Sequence, residues 1–481
     1  MPSSFEQFTT IVISKIHALG YLSPSKSIVK ALLNTAYLAT LKTEEGRFVR
    51  GSLTFADPII PEHDPPLRRR ANYPSFTPFG RAIPLTVERL VKLSRAIDSW
   101  CGSIAVHASR RSSLLAWGMI DQAVQHNVSL NREGTKGFRV PGILSVVMDG
   151  VGAISAYHGS LLLGGIRQEQ VVTREYDALN SAELGNRLHS TFRPIAVKLS
   201  RVLGESTTPE KAEKLLQKEW SRTVARICIG LRRAGTGGAL LITPNPDQDL
   251  LNSSHQLPYS RLGHAMILNV LDAQHRRFAR QATFRYAQAK MAPVDLVREE
   301  HLADADAEDR EDELAGAVRI VTSLASMDGL VLLTPLLEVN AFGTKIRSGP
   351  QVNRVYLGPE FARRGTKAKP VDISRFGTRH GSMLQYCQAD RKAIGIVVSQ
   401  DGHVRLILSA GKNLTLWENV QLLDYESDVR GYARMLDNLR HRRSKLPPEK
   451  SLGYTDMPKT FSILMNSQRS YAKLRRRQIS R

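Results

Sequence analysis

Three short apolar runs constrain this chain most. They are Gly237-Gly238-Ala239-Leu240-Leu241-Ile242-Thr243-Pro244, Leu330–Leu333 and Ala393–Val398. Each is too short for a helix, shows no polar alternation, and is bounded by Gly, Pro, Asp or a polar turn. That pattern predicts strands buried on both faces of a sheet. Helical spacing lies between and beside them. Ala212, Leu216, Trp220, Val224, Ile227 and Leu231 share one face, as do Leu314, Ala317, Val318, Val321, Leu324 and Ala325. The first of these helices is expected to start at a capping box of Thr207 with Glu210 around Pro209 and to end at Gly235. Residues 260–290 carry an Arg-rich helical pattern. The acidic run His301 to Glu313 reads as a solvated loop or a helix N-terminus, without calcium-loop spacing. Asp401-Gly402 turns Ala393–Val398 into Val404–Leu408 as a hairpin. The expected class is α+β or α/β, a mixed central sheet flanked by helices, with a separate β-rich N-terminal module.

In that module, residues 136–173 read as a meander of short strands, with turns at Asp149-Gly150 and His158-Gly159. Asp149 is more economically a turn aspartate than a site residue. Residues 1–135 show less pattern: Pro-rich stretches, a surface charge run Arg68-Arg69-Arg70, and one helical face near Val87–Ile97. The expected organisation is a module over 1–175, a central domain over 176–428 and a basic tail over 429–481.

A chain of 481 residues with 42% hydrophobic content has enough apolar material for two or three packed cores. No run of eighteen apolar residues predicts a membrane span, and the N-terminus does not read as a signal peptide. Three scattered cysteines, Cys101, Cys228 and Cys387, argue against a disulfide scaffold or a zinc site and suggest a reducing compartment, by default the cytoplasm. The net charge is +22, and the stretch from Arg430 onward contributes fourteen Lys and Arg against Asp437, Glu449 and Asp456. Such a tail is either a solvated basic terminus or a polyanion-binding patch; no nucleic-acid module accompanies it.

The chemistry-bearing residues cluster at the ends of the apolar runs. Asp328-Gly329 stands where a helix meets a strand. A carboxylate there can hold Mg²⁺ or Mn²⁺ and neutralise phosphate, or it can be an ordinary turn aspartate. In Phe376-Gly377-Thr378-Arg379-His380-Gly381-Ser382, Arg379 offers a bidentate fork for phosphate and His380 a metal or phosphate contact. Thr378 and Ser382 add hydroxyls, and a helix starting near Gly381 would add free N–H groups. The alternative is a loop whose arginine and histidine bond to nearby carbonyls.

Taken in order, GGALLITP, MDGLVLL, FGTRHGS and AIGIVVSQDGHVRLI resemble the nucleotide-binding domain of diadenylate cyclases, as in the DNA-integrity scanning protein. The resemblance spans roughly Ser200 to Ser409. It implies a bacterial protein that binds ATP with Mg²⁺ or Mn²⁺, as a homodimer or larger oligomer whose facing protomers join two ATP into cyclic di-AMP. By that resemblance Asp328 and His380 would be the catalytic residues. Gly329, Leu330, Gly377, Thr378, Arg379, Gly381 and Ser382 would line the nucleotide, and Asp328, His380 and Asp401 would be metal ligands. The sequence departs from the family's pattern at three places. Leu330 replaces an alanine, Gly381 replaces the second arginine of Arg-His-Arg, and Ser399-Gln400-Asp401 replaces Ser-Glu-Glu. The segment Ala341–Arg375 is also unusually basic. Loss of charged groups at a phosphoryl-transfer site costs rate more than binding. The pattern is similar to the divergent branch of that superfamily proposed to sense nucleotides, so the expectation is a purine-nucleotide sensor. An active diadenylate cyclase and a nucleic-acid binder acting through the tail are the alternatives.

Overall fold

The central helix of the chain shows why the fold forms. Pro209–Ala234 places Ala212, Leu216, Trp220, Val224, Ile227 and Leu231 at helical spacing, and all six are fully buried. Thr208 caps its start by accepting from the Lys211 N–H at 3.4 Å, with Pro209 in the first turn. The cap is thus Thr208, one residue later than the expected Thr207, because Pro209 fits where no N–H partner is required. Gly235 closes the helix with φ +69°.

The structure is a computed structural model. It describes residues 3–18, 24–56, 75–97, 102–109, 113–121, 136–137, 144–158, 161–167, 169–203, 207–288, 294–347, 349–352, 354–358, 370–374, 376–400, 402–410, 413–422 and 424–425. The described residues belong to one compact unit, and the basic tail from 429 onward lies outside them.

The N-terminal module begins with helices α1 (Ser4–Ala18) and α2 (Lys26–Thr40), then a two-residue hairpin of β1 (Thr43–Glu44) and β2 (Arg47–Phe48). There follow β3 (Gly51–Phe55), β4 (Ser75–Pro84), α3 (Val87–Leu93), β5 (Gly102–Ala108), β6 (Leu114–Asp121), β7 (Lys136–Gly137), β8 (Leu144–Gly150), β9 (Ala153–His158), β10 (Leu161–Arg167) and β11 (Gln170–Val172). Eight of these strands make one sheet in the order β11-β10-β9-β8-β3-β5-β6-β4. The module is therefore β-rich from residue 51 and not only over 136–173. One face carries Leu53, Ile104, Val106, Val146, Met148, Ile154 and Ile166, packed against Phe8, Val12, Leu32 and Leu33 of α1 and α2. The hairpin expected to turn at Asp149-Gly150 turns two residues later, at Val151-Gly152, with Asp149 still in β8.

The central domain contains α4 (Ala182–Val202), α5 (Pro209–Ala234), β12 (Gly238–Ile242), β13 (Leu251–Tyr259), α6 (Arg261–Gln288), α7 (Val294–Ala325), β14 (Leu330–Leu333), β15 (Val339–Ile346), β16 (Val355–Leu357), α8 (Thr378–Ala389), β17 (Ile394–Val398), β18 (Val404–Ala410), β19 (Asn413–Trp417) and β20 (Asp424–Tyr425). β20 pairs with β7. The other strands form a mixed sheet, β13-β15-β14-β12-β17-β18-β19-β16. The three apolar runs are its neighbouring strands β14, β12 and β17, with every side chain buried. Helices α4 to α7 cover one face and α8 the other. The fold is mixed α/β with a separate N-terminal module, as the periodicities predict.

One expectation is corrected. The acidic run 301–313 is not a loop or a helix N-terminus; it lies in the middle of α7. Its carboxylates face arginines of neighbouring helices: Arg276 and Arg280 to Asp304, each at 3.0 Å, and Arg226 to Glu311 at 2.8 Å. Pairing across helices removes the repulsion that makes such a run look unsuited to a helix interior.

Candidate functional site

Asp328 follows the end of α7 and immediately precedes β14. Its side chain is 86% exposed; Oδ1 accepts from the Gly329 N–H at 3.1 Å, and Lys345 Nζ approaches Oδ2 at 3.6 Å. Gly329 has φ +102°, and a Cβ there would lie 2.7 Å from the carbonyl carbon of Gly343 in β15. Only glycine meets both conditions, so the Asp-Gly pair is fixed by backbone geometry as well as by any ligand. Leu330 is buried in the core with Ala239, Leu241 and Met383, so its side chain packs there.

The second cluster starts α8. Gly377 is the N-cap and contributes no side chain; the His380 and Gly381 N–H groups return to its carbonyl, both at 3.1 Å. The N–H groups of Thr378 and Arg379 begin the helix, where partial positive charge accumulates. Thr378 is exposed; Arg379, His380, Gly381 and Ser382 are partly buried. The Ser382 hydroxyl donates to the Arg379 carbonyl at 3.3 Å. A Cβ at Gly381 would meet nothing within 4 Å, nor would one at Gly377.

Gly237 relates the two clusters. The parallel register of β12 and β14 pairs Leu240 with Val331, so Gly237, just before β12, and Asp328, just before β14, lie at the same end of the sheet. On the other side β12 runs antiparallel to β17, Gly238 against Val398. Gly237 has φ +66°, and a Cβ there would sit 3.1 Å from both Arg379 Nη1 and the Gln400 N–H nitrogen. Asp328 and Arg379, fifty-one positions apart in the chain, are therefore at the same end of the central sheet, Arg379 against Gly237 and Asp328 at the entry to the neighbouring strand β14.

His380 is engaged within the protein. Arg405 Nη1 lies 2.9 Å from its Nε2, and its ring stacks on Phe376 with centroids 5.4 Å apart. The Arg405 guanidinium also lies over Phe376 and approaches Glu418 at 3.6 Å. Burial, followed by the charges of Arg405 and Arg379, pulls the His380 pKa down to about 4. An imidazole whose Nε2 accepts from an arginine has only Nδ1 left, so its capacity to bind metal is reduced.

Asp401 lies outside the described residues. Among the described residues no three His, Cys, Asp or Glu side chains gather where they could hold a metal. Asp328 offers exposed carboxylate oxygens. One carboxylate suits a Mg²⁺ that arrives with nucleotide phosphates, which supply its remaining oxygens; it does not make a preformed metal cage. Of the basic segment after Ala341, the first six residues belong to β15, and Arg363, Arg364, Lys367 and Lys369 are outside the described residues.

Sequence reading missed Gly237, Lys345 and Arg405. Arg405 had a visible signal: it is the lone charge inside the apolar strand Val404–Leu408. Lys345 and Gly237 had none, since their relevance comes from strand register.

Residues 21–121 match a family model described as a probable sensor domain, DACNV. The match takes in α2 through β6 and lies wholly in the N-terminal module, outside Ser200–Ser409. It supports a sensor-type segment and says nothing of nucleotide binding. No curated protein matches the chain. Among the described residues no helix is long and apolar enough to cross a membrane.

Proposed function

We propose that the central domain binds a purine nucleotide, ATP or a nucleotide-derived signal, and that the protein works as a nucleotide sensor on a divergent diadenylate-cyclase-like scaffold. The observation that carries this reading is a shared sheet end: an exposed carboxylate at Asp328 precedes β14 and a guanidinium at Arg379 lies against Gly237, which precedes the neighbouring β12. Beside them α8 begins without a side-chain cap, which suits an anionic group. Arginine beside a helix N-terminus is a phosphate-binding combination, and a carboxylate next to it suits the accompanying cation. The family match to a probable sensor domain is consistent with the regulatory half of the reading.

Calorimetric titration with Mg·ATP, cyclic di-AMP and GTP tests it. Saturable binding of a purine nucleotide that Arg379→Met weakens supports the reading; no heat with any of them at millimolar ligand removes it.

Active cyclisation is the second reading, and the solvent-facing carboxylate of Asp328 favours it. Cyclic di-AMP formed from labelled ATP with Mn²⁺, and lost in Asp328→Asn, would establish it. No product at concentrations that allow oligomers would reject it.

A further inference from the structure

The N-terminal module and the central domain meet at the last turn of α5. Arg50, just before β3 and inside the segment that matches the sensor family, donates from Nη1 to the Arg233 carbonyl at 2.8 Å. Arg232 stands beside it. It is partly buried, with its Nε out of contact with solvent, and the charges of Arg167, Asp149 and Glu175, all in the N-terminal module, reach it, as does Tyr157. Arg167 ends β10, is 4% exposed, and approaches Glu175 at 3.9 Å. Asp149, in β8, accepts from the Ser155 hydroxyl at 3.1 Å.

The stem of Arg232 lies along the central domain. A Cβ at Gly402 would lie 3.2 Å from Arg232 Cγ, so the arginine lies directly on the turn between β17 and β18. That turn is tightly bonded: Gly402 N–H donates to the Ser399 carbonyl and Ser399 N–H to the His403 carbonyl, both at 2.9 Å. His403 is 5% exposed, bonds Asn419 Oδ1 through Nδ1 at 3.1 Å, and lies within the fields of Arg167, Arg405 and Arg232. The opposite side of the turn is Gln400, whose backbone nitrogen crowds Gly237 together with Arg379. A single turn thus touches Arg232 on one side and the seat of Arg379 on the other.

The ionic seam is only partly satisfied. Arg167 Nη1 and Arg232 Nε are buried and make no hydrogen bond among the described residues. A half-satisfied buried network is costly, and it leaves room for a second arrangement of the same charges.

We propose that Arg232 is the positioning residue through which the N-terminal module sets the nucleotide site: the carboxylates of Asp149 and Glu175 offset its charge against that of Arg167, its stem lies on the turn that joins β17 to β18, and Gln400 of that turn shares with Arg379 the space against Gly237. The proposal rests on the nucleotide reading for its ligand and not for its mechanics. A change in strands β8 to β10 of the module alters the electrostatic setting of Arg232 and hence the affinity of the distant site.

The test uses the full chain. Hydrogen exchange of the 399–403 amides and Mg·ATP affinity are measured for the unaltered protein, Arg232→Met, Arg167→Met and the near-isosteric Glu175→Gln. Arg167→Met and Glu175→Gln lie in the N-terminal module, yet both are expected to speed exchange in the turn by about tenfold and weaken Mg·ATP three- to tenfold, while β14 and β15 exchange as before. Glu175→Gln combined with Arg232→Met is expected to do no more than Arg232→Met alone. A merely structural role would accelerate exchange across the sheet. Unchanged exchange at 399–403 in Glu175→Gln, a uniform rise through β14 and β15, or additive effects in the double variant would overturn the proposal. If the unaltered protein binds no Mg·ATP, the nucleotide reading falls, and the exchange data still decide the coupling.

Discussion

Arg405 Nη1 and His380 Nε2 are 2.9 Å apart, and this contact decides which proton His380 carries. Arginine only donates, so Nε2 must accept, and the neutral ring keeps its hydrogen on Nδ1. Arg405→Leu is therefore expected to return the His380 pKa from about 4 toward the ordinary histidine value, because a nearby like charge and a fixed acceptor role are both removed. A proton NMR titration of the His380 ring measures this. A pKa that stays near 4 would leave burial, with the charge of Arg379, as the cause.

Gly381 offers a gain-of-function variant. Nothing lies within 4 Å of where its Cβ would be, and it occupies the first turns of α8. Gly381→Arg restores a cation in open space and replaces the poorest ordinary helix former, so the protein is expected to gain about 0.5–1 kcal/mol of stability. Affinity for triphosphate should rise severalfold. Urea unfolding and calorimetry read the two effects separately, and loss of stability would mean that the space is not open.

Gly329→Ala should do the opposite. Its φ of +102° and the 2.7 Å approach of the Gly343 backbone leave no place for a methyl group. Destabilisation on the order of 3 kcal/mol is expected, by strain and by forcing β14 from β15. Denaturant midpoints measure it, and a change under 1 kcal/mol would contradict the strand geometry.

Most of the fold was readable because periodicity is local. The face of α5 and the three buried strands follow from residue spacing alone. What the sequence hid depends on pairing at a distance. The acidic run looked unfit for a helix interior until Arg276 and Arg226 were brought opposite it. Arg379 and Asp328 could be named from their neighbours, but the approach of Arg379 to Gly237, at the sheet end that also holds Asp328, follows only from the strand order. Arg232 carries no local signal; its contact with Gly402 requires the tertiary fold.

Acid should destabilise the protein through its buried histidines. Burial is the largest cause for both His380, at about 4, and His403, at about 3. A histidine near 6.5 when unfolded binds a proton more readily unfolded than folded, so its stabilising share is full above about pH 6.5 and falls as pH drops through that value. Between pH 7 and 5 each costs about 2 kcal/mol. His403→Asn should flatten the dependence of the urea midpoint on pH. An unaltered slope would place the proton uptake elsewhere.

The most direct measurement of the central claim is nucleotide binding by the full chain, compared with Arg379→Met and Asp328→Asn under one Mg²⁺ concentration. The account predicts saturable binding of a purine nucleotide, at least tenfold weaker in Arg379→Met, with Asp328→Asn diminishing the metal-dependent share. Binding that both variants leave intact, or no binding at millimolar nucleotide, would contradict it.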